Sequence, residues 1–164
     1  MPRPDYIFAP VTRADFPLLD RWRSEPHVRE RWELPERELE MIARDLEDGV
    51  VDMRIVQHGG RPFAYVQDYP AHHWDMPHYA FPPGTRAIDT FLEEPDMLGR
   101  GHAARYLRAR AAALLAEGFP AVVIDPDPSN ERAVRAYRRA GFAGDRIAPC
   151  EDGDPVIVME FRPS

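Results

Sequence analysis

The sequence predicts a mixed α/β domain, with a sheet that starts as an antiparallel meander and is completed by strands reached through helices. Three observations carry that expectation. Two strand-like runs, 51–57 and 61–69, flank His58-Gly59-Gly60, a hairpin signal. Two longer stretches, 34–49 and 99–117, repeat apolar residues at helical spacing. Finally, "AVVID" (121–125) is apolar until its last residue and directly follows a helical stretch, as a central parallel strand does.

In chain order, "YIFAPVT" (6–12) reads as the first strand, and Thr12 with Asp15 resembles a capping box opening a short helix through Trp22. The second helix, "LPERELEMIARDLEDG", places Leu39, Ile42, Ala43 and Leu46 on one face and closes at Gly49. After the hairpin comes a Pro-, His- and aromatic-rich loop, 70–85, and then the strand "RAIDTFL" (86–92). The helix from Gly99 to Glu117 has Ala103, Leu107, Ala111, Leu114 and Leu115 as its expected inner stripe. "SNERAVRAYRRAGF" is a helix capped by Ser129 or Asn130 and stopped by Gly141, and "PVIVMEF" is the last strand. With no repeat, linker or low-complexity tract, residues 1–164 are expected to form a single domain.

Composition narrows the class. Apolar residues at 44% and charged residues at 30% are ordinary for a globular chain, and the net charge of −7 argues against nucleic acid as the main partner. Every basic residue is arginine, a pattern that resembles coding bias more than a functional signal. Arg100, between Gly99 and Gly101, and Arg105, Arg108 and Arg110 after them form a basic stretch, while acids crowd 25–52, so an anionic and a cationic ligand are both accommodated by charge. A single cysteine, Cys150, excludes an internal disulfide and fits a reducing compartment. The absence of a signal core or a long apolar span leads to the expectation of a cytoplasmic protein with no membrane segment.

Residues 99–104, Gly-Arg-Gly-His-Ala-Ala, place two glycines where a loop becomes a helix, an arrangement that frees backbone amides for phosphate. Read alone they satisfy the dinucleotide fingerprint G-x-G-x-x-A, with Asp125 at the end of the next strand as the ribose acid. That owner fits badly. "EEPDM" separates the glycines from their strand, most of the sheet precedes them, and too little chain follows for a second half of that fold.

The same window, Leu98-Gly99-Arg100-Gly101-His102-Ala103, resembles the phosphate loop of the GNAT superfamily of acyl-CoA-dependent N-acetyltransferases, Arg/Gln-x-x-Gly-x-Gly/Ala, with Leu98 departing from the first position. "DPDPSNERAVRAYRRAGF" is similar to that family's later helix, in which an Asn, a Tyr and a closing Ala-Gly-Phe recur. Asn130, Ala133 or Val134, and Tyr137 fall at successive turns of one face. The resemblance implies a mostly antiparallel sheet of six to seven strands with about four helices, splayed at the acyl-CoA site. It implies acetyl-CoA as cosubstrate with no metal, held by Leu98, Gly99, Arg100, Gly101, His102, Ala103, Ala104, Asn130, Ala133 and Tyr137.

Acetyl transfer from a thioester to an amine requires a proton acceptor for the ammonium, a donor for the oxyanion and a proton for the thiolate. By resemblance Asp89 is the acceptor, the amide of Ile88 or a near neighbour the oxyanion donor, and Tyr137 the proton donor. The alternatives are structural: Asp89 as a partner of Arg86 or a bulge cap, and Tyr137 as a packed aromatic. Three segments together ("GTRAIDTFL", "MLGRGHAAR" and the later helix) are similar to aminoglycoside 6′-N-acetyltransferases, which implies a polycationic small-molecule substrate contacted by Asp89, Asp125 and Asp152, with Trp74 and Asp75 as rough loop counterparts. The enzyme would act alone or as a homodimer. Siderophore-type lysine N-acyltransferases, with His72, His73 or His78 in play, and a non-catalytic binding module remain the alternatives. His72, His73, Asp75 and His78 match no firm metal-ligand spacing, and Trp22 and Trp32 read as core or lip residues.

Overall fold

The computed structural model describes residues 5–26, 35–73 and 79–163. Seven strands are β1 (Ile7–Pro10), β2 (Asp52–His58), β3 (Arg61–Pro70), β4 (Arg86–Leu92), β5 (Val122–Ile124), β6 (Phe142–Pro149) and β7 (Pro155–Phe161), in the sheet order β1-β2-β3-β4-β5-β7-β6. The α-helices among the described residues are α1 (Phe16–Arg23), α2 (Pro35–Asp48), α3 (His102–Ala116) and α4 (Glu131–Ala140). The β4–β5 pairing is parallel, whereas β1–β2, β2–β3, β5–β7 and β6–β7 are antiparallel. The expected mixed α/β class and strand number hold. The chain divides into two compact units, Met1–Asp68 with Asp89–Arg100, and Tyr69–Ile88 with Gly101–Ser164.

In the first unit, β1–β2–β3 form the meander. The hairpin between β2 and β3 turns at Gly59 and Gly60, whose φ values of 58° and 81° only glycine adopts readily. The first strand, Ile7–Pro10, is shorter than 6–12; Tyr6 and Val11 flank it and are buried, Val11 still donating its amide to the Met53 carbonyl and Tyr6 lying against Phe63 with ring centroids 6.0 Å apart. Asp15 accepts from the Thr12 amide at 2.8 Å, and a 3₁₀ turn, Arg13–Asp15, precedes α1 where a single helix was expected. Leu19 and Trp22 of α1 and Ile42 of α2 are buried on their inner faces, which makes Trp22 a core residue; Trp32 lies outside the described residues.

Glu94, just past β4, binds this unit together. Its Oε1 accepts from Trp22 Nε1 at 2.8 Å and from Arg21 Nη2 at 2.7 Å, and Arg61 reaches it while forming a bidentate pair with Asp96, both contacts at 2.8 Å. Charge-assisted bonds of this kind are the strong ones, and here the shared carboxylate is mostly buried.

In the second unit, the β4–β5 ladder comprises Arg86↔Val122 and Ala87↔Val123, and Ile88 is the next residue on β4. β5 is buried throughout, as its sequence predicts for a central parallel strand. The inner stripe of α3 differs from expectation. Leu107, Ala111 and Leu114 are buried together with His102, Tyr106 and Arg110, while Ala103 and Leu115 are only half-covered. The helix begins at His102, so Gly99–Gly101 form its lead-in and not its first turn.

Strand β6 was not anticipated. Its sequence, FAGDRIAP, alternates poorly and carries Gly, Asp and Pro. It nevertheless pairs with β7 as the outermost strand, which is why Ile147 can remain 63% exposed. Register shifts between Ala143 and Arg146, and a Cβ on Gly144 would stand 2.3 Å from the Val158 carbonyl oxygen. Glycine here is therefore required by the close backbone approach at a bulge. Gly144→Ala is expected to destabilise the protein by about 2 kcal/mol and lower Tm by about 6 °C, measured by thermal unfolding.

Candidate active site

The glycine loop is built from the backbone upward. A 3₁₀ turn at Pro95–Met97 buries Met97, Leu98 donates its amide to the Pro95 carbonyl, and Gly99 and Gly101 then take φ values of 74° and 79°. No atom lies within 4 Å of where a Cβ on either would sit. Glycine is thus required by the left-handed backbone and not by crowding, and the space beside both residues is open to a ligand. The first-turn amides of α3 have no partners within the helix and stand at its positive end. His102 is buried, with Nδ1 3.3 Å from Arg105 Nη2. Arg100 and Arg105 are exposed cations flanking the turn, and Ala103 and Ala104 are half-buried.

The later helix is set by its cap. Asp127 Oδ1 accepts from the Ser129 amide at 2.8 Å and from its hydroxyl at 2.7 Å, and Asn130 Oδ1 accepts from the Ala133 amide at 3.3 Å. Of the two predicted caps, Asn130 is the one observed. Ala133, Val134 and Tyr137 share the less exposed side of α4, and the Tyr137 ring lies 6.4 Å from that of Phe142. Gly141 ends the helix at φ 113°.

Asp89 sits on β4 in the first unit. Its Oδ2 accepts from Gln67 Nε2 at 3.2 Å, and Gln67 Oε1 accepts from Tyr65 Oη at 2.7 Å. The partner considered for it, Arg86, lies in the second unit with its guanidinium 5.1 Å from the centroid of the Phe119 ring. Close by in the first unit, burial pushes the Glu93 carboxyl up to about 8 against the opposing pull of Arg23. Its Oε2 is buried with no hydrogen-bond partner among the described residues. Burial lowers the Arg23 guanidinium in turn, although Tyr65, Glu93 and Asp20 favour its charge.

In the second unit, Asp125 ends the β5 segment. Desolvation raises its carboxyl to about 7, the nearby Tyr79 hydroxyl opposes the rise, and the charge of Glu151 adds to it. Glu151 and Asp152 are both exposed in the 150–154 turn, and it is the charge of Glu151 that acts on Asp125. His72 Nε2 is 2.7 Å from the Phe81 carbonyl. Trp74, Asp75 and His78 lie outside the described residues. Among the described residues no three His, Cys, Asp or Glu side chains gather as a metal would require. No described helix is long and apolar enough to cross a membrane.

Sequence reasoning passed over Tyr65, Gln67, Glu93, Tyr79 and Glu151. The i, i+2 spacing of Tyr65 and Gln67 on one strand face was a readable signal, whereas the partnership of Tyr79 with Asp125 joins residues far apart in the chain.

A glycine-led helix start, a parallel pairing of β4 with β5 that ends just before Ile88, and an Asn-capped helix bearing a tyrosine together define a coenzyme A-dependent acyltransferase architecture. The chain belongs to the GNAT acetyltransferase family, whose domain model matches residues 11–148. It is 28% identical over 165 residues to aminoglycoside N(6′)-acetyltransferase type 1 of Klebsiella pneumoniae, covering 93% of this chain and 81% of that protein. Among solved structures it resembles AAC(6′)-Ib with paromomycin and acetyl-CoA (TM-score 0.85, 27% identity, 96% of this chain and 93% of that one). It also resembles the same enzyme with coenzyme A and kanamycin (TM-score 0.83, 28% identity, 94% and 93%).

Glu93 gives a stability test. Its folded value, about 8, lies above its unfolded value, so the unfolded chain releases the proton first and stability falls as pH rises towards and through 8. Asp125 acts in the same direction but is largely titrated above pH about 7. Between pH about 7 and about 8.5 Glu93 should therefore account for a loss of about 1 kcal/mol. Urea unfolding of Glu93→Gln is expected to show that part of the slope flattened.

Proposed function

We propose that this acetyltransferase transfers the acetyl group of acetyl-CoA to a primary amine of an aminoglycoside, at the 6′ position, by direct attack in a ternary complex. The observation that carries this reading is the similarity to an aminoglycoside 6′-acetyltransferase along nearly the whole chain, motifs included. It is supported by an acid on β4 that is already held by a hydrogen-bond donor. The amides of the 98–104 turn, with Arg100 and Arg105, take the pyrophosphate, and Asn130 and Ala133 line the arm of the coenzyme. Asp89 accepts the ammonium proton, the freed amine attacks the thioester carbon, and the Ile88 amide donates to the oxyanion. The carbon–sulfur bond then breaks, the Tyr137 hydroxyl protonates the thiolate, and the phenolate regains a proton from the acetylated nitrogen, leaving the neutral amide. Asp125 and Asp152, with Trp74 and Asp75, hold the remaining ammonium groups. The site of action is the cytoplasm, where acetyl-CoA is made available.

Steady-state thiol release with kanamycin-type aminoglycosides, lysine derivatives and polyamines tests the acceptor; turnover restricted to the latter two would overturn the assignment. Tyr137→Phe is expected to lower kcat about 100-fold or more with little change in acetyl-CoA KM. Asp89→Asn should lower kcat/KM by a similar factor, and full activity with an unshifted pH profile would remove Asp89 from the chemistry. Asp125 predicts a pH effect as well. As pH falls below about 7 its carboxyl gains a proton and loses its hold on an ammonium, so aminoglycoside KM should rise, and Asp125→Asn should abolish that dependence.

A further inference from the structure

Tyr65 and Gln67 lie outside every role assigned above, yet they converge on the residue placed at the centre of the chemistry. They are two apart on β3 and point to the same face. Tyr65 is 1% exposed and donates from Oη to Gln67 Oε1 at 2.7 Å; Gln67 then donates from Nε2 to Asp89 Oδ2 at 3.2 Å. All three residues belong to the first unit. Thr90 Oγ1, the next side chain along β4, donates to the Tyr65 carbonyl at 2.8 Å and ties the two strands at this level.

The direction of the chain is fixed by its far end. A glutamine amide has two nearly isosteric orientations, and only one of them offers a donor to a carboxylate. With the amide reversed, its oxygen would face a carboxylate oxygen and its amino group would face the phenol. The phenol holds the productive orientation as long as it keeps its proton. Burial, reinforced by Asp45, Asp89 and Glu93 and opposed by Arg23, raises the phenol far above its ordinary range. Those are the charged groups facing it: Arg23 from α1, Asp45 from α2, Asp89 on β4 and Glu93 just beyond β4.

We propose that Tyr65 and Gln67 form a positioning relay that holds the Asp89 carboxylate by one oxygen and favours its ionised form for accepting the proton of the incoming amine. The proposal rests on the reading of Asp89 as proton acceptor. Donation to the charged form of an acid favours that form, so the relay sets the lower edge of the working pH range. Neither residue needs to touch the substrate for this role.

The test is the pH profile of kcat/KM with a turned-over aminoglycoside. Gln67→Leu removes the donor and should move the acid limb to higher pH by about one unit, with acetyl-CoA KM held within about twofold. Gln67→Glu, which brings a second carboxylate to Asp89, should move it further. Tyr65→Phe keeps the ring but frees the amide to rotate, and should give a smaller shift in the same direction. A carboxyl ¹³C titration of Asp89 in the enzyme without substrate should follow the same order, which a loss of packing alone would not produce. Should Gln67→Leu fold poorly, the titration in Tyr65→Phe decides the matter. An Asp89→Asn enzyme that is crippled while the Gln67 and Tyr65 variants keep the wild-type limb and titration would overturn the relay alone. An Asp89→Asn enzyme with full activity would overturn the proton-acceptor reading beneath it.

Discussion

A single carboxylate, that of Glu94, organises the first unit. It receives the Trp22 indole and the Arg21 guanidinium from α1 and attracts Arg61 from the start of β3, while Arg61 also grips Asp96. The segment between β4 and the glycines is tied to β3 by the Glu93 and Glu94 amides on the Phe63 carbonyl. These charge-assisted bonds and the burial of Met97 and Glu93 add to its shape. The path of the chain into Gly99 therefore depends on α1 being in place, and α1 depends on an acid nearly as far along the chain as the loop it steers. A surface ion pair would contribute little here; a mostly buried carboxylate shared by three donors from two elements contributes more.

Two acids, Glu93 buried and Asp125 half-buried, mark where solvation has been given up for position. Glu93 and Asp125 both carry raised carboxyls, and the cause in each is desolvation, but their settings differ. Glu93 lies beside Arg23 in the first unit and has an oxygen with no hydrogen-bond partner among the described residues, a setting that favours the protonated acid. Asp125 has the Tyr79 hydroxyl nearby, which tempers the rise and suits a group that has to change charge near neutral pH. Asp89 is handled in the opposite way, with a donor aimed at it.

Much of this was legible in the sequence, and the parts that were not share a physical reason. Strands β4 and β7 and the stop of α4 at Gly141 matched their expected positions because their signals are local: β-branched runs, apolar alternation and a glycine with positive φ. Strand β6 was missed because an edge strand needs no apolar face, and its Gly144 reads as a breaker until the opposing Val158 carbonyl is seen. The glycine loop and the Asn130–Tyr137 helix were found from motif spacing. The hydrogen bond from Gln67 to Asp89 spans 22 residues and Trp22 to Glu94 spans 72, and nothing in local periodicity records either. Among the acids, the 150–154 turn was recognised, but the carboxylate whose charge acts on Asp125 is that of Glu151, a long-range effect that local sequence does not record.

The cations of these networks, Arg21, Arg54, Arg61 and Arg138 among them, are guanidinium groups, and the chain contains no lysine at all. A guanidinium matches the planar fork of a carboxylate, as Arg54 does on Asp52, and it keeps its proton throughout the biological pH range. It is therefore a poor nucleophile toward thioesters. A catalyst that works beside an activated acyl donor has built its own scaffold without a single ε-amine, so no lysine of its own competes with the acceptor amine for the group being transferred.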